Sequence, residues 1–347
     1  MKIASASASP IDIRLTETLT TSSGGIGDRG GLRLMVHVDG GAFGLGETAP
    51  IPGVEGPRLE DLAQELRQWS EAIVDSTVED ALGGLDDAGL STLARFAVHT
   101  SLIDLESRAK AVPLAQYLRV GAHQHVAVNG LVTESNPAAI HSRVSLLAAE
   151  GVSAIKLKVG SSSTTEEVTR IIAASEAAGS SVELRLDANR NWDAETTERI
   201  IGRVGKHRIS YIEDPTPEIG DYQALEAATG VRVAVDLSPM SSVDEQIDQA
   251  GVSVVVVKPA AVGGVDRVVD IARKYPEQQV VVTSSIDREI ALAAAIHAAA
   301  ALPSDPIAHG LSTGAIVRNM PTSLLAAEGR VAVPSGPGVY RPDAADE

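Results

Sequence analysis

From about Val126 onward the chain repeats one beat: a short apolar run, a polar turn, then an amphipathic stretch. Eight such runs can be read: VAVNGLV, VSAIKLK, VELRLD, SYIED, VRVAVD, VSVVVVK, QVVVTS and PIAHG. Segments such as NPAAIHSRVSLLAAEG and TTEEVTRIIAASEAAG separate them. Short, nearly continuous apolar runs are strands buried on both faces, and strands alternating with helices build parallel sheets. Eight strands with about seven helices over roughly 185 residues fit a closed barrel better than an open sheet. An open doubly wound sheet usually carries a glycine-rich fingerprint after its first strand, and VAVNGLVTESN has none. The last run lacks a full closing helix. The expected fold is therefore α/β, a modified (β/α)7β barrel of the TIM type, over about residues 111–324.

Residues 1–110 have another texture. IDIRLTETL and LRLMVHVDG alternate like half-buried strands around a polar, glycine-rich loop, and helical patterns follow over about 59–74 and 91–109. Strands followed by helices indicate a small α+β domain. The tail GRVAVPSGPGVYRPD, within about 325–347, is expected to return and complete it.

Composition removes several classes of function. The chain of 347 residues carries 29 Lys and Arg against 46 Asp and Glu, a net charge of −17. Such a chain is a poor generic partner for nucleic acid or anionic membrane, so any anionic substrate must meet a local cluster of cations. The absence of cysteine excludes disulfides, thiolate metal sites and cysteine nucleophiles. The start MKIASASASP has no apolar signal core, and IALAAAIHAAAAL, with His297 inside it, is too short to span a bilayer. A cytoplasmic globular protein with a small-molecule substrate is the expectation, its oligomeric state open.

The charges fall at the strand ends. The second strand ends in Lys156 and Lys158, two residues apart and so on one face, with Ile155, Leu157 and Val159 on the other. The third ends in Asp187, the fourth in Glu213, the fifth in Asp236 and the sixth in Lys258. The gaps among these last four are 26, 23 and 22 residues, about one β–α unit each. Ionisable groups at the carboxyl ends of successive barrel strands converge on one mouth. Three carboxylates meeting there repel one another unless a cation neutralises them, and three hard oxygen ligands suit Mg²⁺, with Mn²⁺ as a substitute. A single acid at a strand end is more often a helix cap, as Asp193 and Asp221 are expected to be; here the periodicity separates site from cap.

At this point the sequence resembles a family. GLGETAP from Gly44, the K-x-K of Lys156 and Lys158, and the R-x-D-x-N of Arg185, Asp187 and Asn189 occur in order. EDP at Glu213, Asp236, the K-P-x-x-x-G-G from Lys258, SS at Ser284 and Ser285, and PSGPGVY follow. Together they resemble the enolase superfamily, its muconate-lactonizing subgroup, and most closely the o-succinylbenzoate synthases. Dipeptide epimerases of the subgroup carry a D-x-D near the eighth strand, where this chain reads AHGLST. Relatives of the mandelate-racemase branch use a His on the seventh strand, where it reads VVVTSSID.

The resemblance implies proton abstraction beside a carboxylate, with Mg²⁺ on Asp187, Glu213 and Asp236 offsetting the enediolate charge; the use of a Lys base with Mg²⁺ is a known property of such sites. It makes Lys158 the base, which then protonates the departing hydroxide, and Lys258 the group stabilising the anion from across the mouth. Lys156 is expected to tune Lys158 or to touch the carboxylate, like-charge repulsion lowering amine basicity. Arg185 is read as a positive brace, or as ordinary strand polarity, and Asn189 as support behind the ligands. Ser284, Ser285 and the backbone near Gly310 are candidates to hold a second carboxylate, or a helix cap. The loop Thr21–Gly31 is a lid or a plain hairpin tip. The implied reaction is syn-dehydration of 2-succinyl-6-hydroxy-2,4-cyclohexadiene-1-carboxylate to 2-succinylbenzoate, a step toward menaquinone. Racemisation of N-succinylamino acids, dipeptide epimerisation and cycloisomerisation are alternatives on the same residues. A glycosidase built on Glu213 with Asp187 or Asp236 is disfavoured by the lysines and by only 3% aromatic residues. A non-catalytic anion-binding barrel is the remaining class.

Overall fold

The computed structural model describes residues 1–21, 24–52, 56–205, 208–238, 242–303 and 307–341. The chain opens with β1 (Ile3–Ile13), β2 (Leu19–Thr21), β3 (Gly24–Ile26), β4 (Arg29–Val38) and β5 (Phe43–Thr48), then α1 (Leu59–Ala72), α2 (Val78–Gly83) and α3 (Thr92–Ala109). β1, β4 and β5 form an antiparallel sheet in that order; β2 and β3 form a separate hairpin. The first strand lies earlier than IDIRLTETL suggested. It runs through ASASASP and ends at Ile13. As the edge strand it packs mainly through small residues such as Ala6 and Ala8, which leave no hydrophobic alternation to read.

The two helical patterns appear as α1 and α3, the latter capped by Ser91, which accepts from the Ala94 N–H. β5 lies directly on α3. A Cβ at Gly44 would stand 2.0 Å from the Ser101 carbonyl oxygen, and one at Gly46 1.9 Å from that of Ala97. The glycines of GLGETAP are thus a packing requirement.

The second part begins with α4 (Leu114–Leu118), β6 (His125–Ala127), β7 (Gly130–Val132), α5 (Pro137–Ala149) and β8 (Ala154–Lys158). It continues with α6 (Thr164–Ala178), β9 (Glu183–Asp187), α7 (Ala194–Val204), β10 (Tyr211–Glu213), α8 (Tyr222–Thr229) and β11 (Arg232–Asp236). Then come α9 (Val243–Ala250), β12 (Val254–Val257), α10 (Pro259–Val262), α11 (Val265–Lys274), β13 (Gln279–Val282), α12 (Glu289–Ala300) and β14 (Arg330–Ala332). β7 to β13 pair in parallel in strict sequence order.

Two candidate strands differ from expectation. VAVNGLV is split: β7 joins the barrel, while β6 pairs antiparallel with β14 of the tail. PIAHG, whose Pro306 lies outside the described residues, is no strand. His309 bridges Val128 and Gly310 bridges Thr283, both in parallel, so this short segment joins the two edges of the sheet. The fold is the TIM-like (β/α) barrel with an N-terminal α+β capping unit. Its interior is filled by Tyr211, Ala234, Val254, Val256 and Val281. Ile155, Leu157 and Val159 pack outward against the helices, which sends Lys156 and Lys158 inward.

Two sets of contacts join the capping unit to the barrel. Glu47, buried at the end of β5, accepts from Arg33 and from the Ile290 and Ala291 N–H groups at the start of α12. Arg288, at the cap position of α12, makes no side-chain cap bond, so Glu47 caps that helix from another part of the chain. The tail supplies the second set. Val339 N–H donates to Asp104 on α3, which also accepts from Leu45 N–H, and Arg341 stacks on Phe43 at 3.7 Å. Among the described residues no helix is long and apolar enough to cross a membrane.

Candidate active site

The charged strand ends converge on a cavity of about 460 Å³ at the carboxyl ends of the barrel strands. Lys156, Lys158, Asp187, Glu213, Asp236 and Lys258 all line it. Ala49 to Ile51, which follow Glu47, and Thr92 and Leu93 at the start of α3 form its roof. No described residue of the tail lines it; the described tail contacts β6, α3 and Phe43 instead.

The floor is a chain of ion pairs. Lys158 Nζ donates to Asp187 Oδ2 at 2.6 Å and to Asn189 Oδ1 at 2.8 Å. Lys156 Nζ lies 3.0 Å from Asp187 Oδ2 and donates to Glu213 Oε1 at 2.9 Å. Lys258 Nζ donates to Asp236 Oδ2. The register explains the convergence: Lys158 is the partner of Asp187 and Asp187 of Glu213 on adjacent parallel strands, so their side chains share one level of the barrel. Lys258 directly follows β12, across the cavity from β8.

Burial and these partners set the protonation. Burial disfavours the charged forms of Lys156 and Lys258, yet Asp187 and Glu213 hold Lys156 well above the usual lysine range, and Asp236 raises Lys258. Each of these two ammonium groups sits on a carboxylate, and that attraction outweighs burial. Burial acts to raise Asp187, but Lys156 and Lys158 pull it below the ordinary carboxylate range. Glu213 is pushed up to about 8 by burial and by the neighbouring Asp187 carboxylate, against Lys156.

A divalent cation fits this donor set. Among the described residues no three carboxylate or imidazole groups converge as a ready-made metal site, since each acid turns to a lysine. Asp236 Oδ1, however, is buried without a hydrogen-bond partner, and Glu213 is strained toward its neutral form by the acids beside it. A cation held among Asp187, Glu213 and Asp236 would relieve both. All three are hard oxygen donors.

Two residues that the sequence reading passed over belong here. Asp214, in EDP, accepts from the Asp236 N–H at 3.1 Å, the Tyr222 hydroxyl at 3.0 Å and Arg190 Nε at 2.8 Å. Burial, and then the Asp236 carboxylate, raise its pKa. Arg190 lines the cavity. Asn189, Arg190 and Asp214 all have left-handed backbone, with φ of 46°, 62° and 43°. Strain of this kind persists where surrounding structure enforces it, most often at functional sites. The signal in the sequence was their place close behind the strand-end acids: Asp214 directly after Glu213, and Arg190 three residues past Asp187.

The other expected residues separate. Arg185 is buried beneath the floor, 5.0 Å from the Tyr211 ring, and donates to the Ala308 carbonyl at 2.7 Å; it braces the barrel interior and does not line the cavity. Ser284, Ser285 and Gly310 line the wall opposite the acids. Ser284 Oγ pairs with Thr313 Oγ1 at 2.5 Å. The Gly310 N–H itself donates to Val282 O at 2.8 Å, so that donor is already taken. Asp193 caps α7 through the Thr196 N–H, whereas Asp221 makes no side-chain cap bond to α8. Of the loop Thr21–Gly31, residues 22 and 23 lie outside the described residues; its end is anchored by Arg29, which donates to the Ser285 and Ile286 carbonyls.

Comparison with known proteins identifies the family. The model of the enolase C-terminal domain-like family matches residues 139–339. A hydrophobic dipeptide epimerase of Roseobacter litoralis is 32% identical over 51% of this chain and 52% of its own. An o-succinylbenzoate synthase of Thermobifida fusca is 30% identical over 54% and 59% respectively. The chain is thus matched over little more than half the length of these two relatives. The structure of a dipeptide epimerase from Enterococcus faecalis, complexed with Mg and the dipeptide L-Leu-L-Tyr, superposes with a TM-score of 0.86 over 98% of this chain and 99% of that one. Its 20% identity makes that a likeness of fold. The family match covers most of the barrel and more than half of the chain: the protein belongs to the enolase superfamily.

Proposed function

We propose that the chain is an o-succinylbenzoate synthase, converting 2-succinyl-6-hydroxy-2,4-cyclohexadiene-1-carboxylate to 2-succinylbenzoate with loss of water. One observation carries the choice within the superfamily. Among the described residues every acid lining the cavity stands at or directly after the ends of β9, β10 and β11, while the wall from β13 to the residues after Gly310 presents Thr283, Ser284, Ser285, Ser312 and Thr313. A dipeptide would bring a free ammonium, and that wall offers it no carboxylate. It suits a substrate arm that is neutral or anionic.

In this reading Asp187, Glu213 and Asp236 hold a divalent cation, Mg²⁺ or Mn²⁺. When bound, the cation offsets the negative charge that gathers on the substrate carboxylate as the adjacent C–H is broken. Lys158 Nζ, once released from Asp187, takes the C1 proton. The electron pair closes the new ring double bond as the C6–O bond breaks, and Lys158 returns its proton to the departing hydroxide, giving water and an aromatic ring. A single base on one face accounts for syn geometry. Lys258, kept protonated by Asp236, faces the developing anion from the other side, as a cation against the ring. Lys156 bridges Asp187 and Glu213 and pulls both toward their ionised forms, against burial.

A second reading is racemisation of an N-acylamino acid, favoured by the placement of Lys158 and Lys258 on opposite sides of the cavity. The test is to assay one preparation with Mg²⁺ for formation of 2-succinylbenzoate and for solvent deuterium exchange into N-succinylamino acids and dipeptides. Dehydration with the higher kcat/KM supports the proposal. Efficient exchange without dehydration overturns it.

A further inference from the structure

A substrate with two carboxylates needs two places for negative charge, because a desolvated carboxylate without a partner is costly. Among the described residues the cavity is lined by four cations: Lys156, Lys158, Lys258 and Arg190. The three lysines are paired with Asp187, Glu213 and Asp236, and the reaction uses them at the other carboxylate. Arg190 is different. Its partner is Asp214, which is engaged with Asp236 only through the backbone N–H. Asp214 takes the proton of Nε at 2.8 Å, and the Tyr222 hydroxyl, itself bonded to Asp214 at 3.0 Å, also lies against the guanidinium. The side chain remains 36% exposed, and it lines the cavity. Its direction is set at both ends: the left-handed backbone is held by a 2.6 Å bond from Arg190 N–H to the Asp214 carbonyl, and the head is held by the Asp214 carboxylate. An arginine held through Nε presents its terminal nitrogens as a pre-oriented pair, the geometry that carboxylates accept.

We propose that Arg190 binds the second carboxylate of the substrate, the one at the end of the arm, and so sets the preference for a dicarboxylate. This rests on the dicarboxylate reading above. The competing location is the Ser284 and Thr313 hydroxyl pair, which is neutral and already closed on itself at 2.5 Å.

The test is calorimetric binding to the Mg²⁺-loaded protein of two ligand pairs that differ only in the terminal carboxylate: 2-succinylbenzoate against 2-butanoylbenzoate, and N-succinylphenylalanine against N-butanoylphenylalanine. The wild type should prefer the dicarboxylate by roughly tenfold or more. Arg190→Gln, which can still donate to Asp214, should reduce that preference to about twofold or less, Arg190→Lys should keep part of it, and Ser284→Ala should keep all of it. Should Arg190→Gln fail to fold, the partial loss in Arg190→Lys decides. An unchanged preference in the Arg190 variants, its loss in Ser284→Ala, or no preference by the wild type in either pair overturns the assignment. If the enzyme proves a racemase, the N-succinyl pair alone shows the effect, and the role of Arg190 stands while the dehydratase reading falls.

Discussion

Acid should loosen this protein through a histidine far from the chemistry. His297 lies in the apolar run of α12 and is fully buried. Its Nδ1 accepts the Ala115 N–H at 3.1 Å, so the ring proton must be on Nε2, which donates to Val339 O at 2.7 Å. The ring thus ties α12 to α4 and to the tail. A second proton on Nδ1 would point at an amide donor, with no water to receive it. Burial accordingly pushes the imidazole down to about 4 from 6.5. The sign follows: between these values the unfolded chain binds a proton that the folded chain refuses. The contribution of neutral His297 is complete above pH 6.5 and is lost as pH falls toward 4. Two and a half units correspond to about 3 kcal/mol. His99 and His309, pushed down to about 4 and about 3 by burial, act in the same direction, so the test must be differential. His297→Asn keeps an acceptor for Ala115 but cannot be protonated. Urea unfolding followed by circular dichroism at about pH 7.5 and about pH 4.5 should show the wild type losing about 2–3 kcal/mol more than the variant. An equal loss in both proteins refutes the argument.

Other outcomes follow from the same structure. Chelation should abolish turnover and Mg²⁺ should restore it, and Mg²⁺ at about a hundred times its Kd should stabilise the wild type by about 2.7 kcal/mol in thermal unfolding; Asp236→Asn should lose most of that gain, and full activity without metal would refute the site. Lys158→Ala should remove essentially all turnover and all hydrogen exchange at the substrate α-carbon, followed by NMR. Lys258→Ala should slow dehydration severely while leaving that exchange measurable; the reverse pattern would move the base to β12. Gly46→Ala should cost about 1–3 kcal/mol or more, since its Cβ would lie 1.9 Å from the Ala97 carbonyl oxygen. Gly202→Ala, on α7 with open space around it, should stabilise by about 0.5–1 kcal/mol; both are read from denaturant midpoints.

The barrel and the level of its charged residues were legible in the sequence because both are periodic. Strand alternation put Lys156 and Lys158 on one face, and the even spacing of Asp187, Glu213, Asp236 and Lys258 followed from one β–α unit per strand. Local pattern needs nothing beyond the chain's own neighbours. What it lacked were contacts between distant residues. β1 was obscured because small edge-strand residues carry no hydrophobic alternation. The eighth strand shrank to two bridges because its hydrogen bonds are made to Val128 and Thr283, far away in the chain. Glu47 looked like part of a motif, but its work is to cap α12, some 240 residues on. Arg190 and Asp214 carry no periodic mark, and only the folded chain brings them beside Asp236. The direction of the lysine pKa shifts also waited on the fold. From the sequence Lys156 was only a like charge beside Lys158, expected to lower that lysine's basicity; in the barrel Lys156 itself rests between two buried carboxylates, and short distance in a poorly solvated interior raises its own pKa.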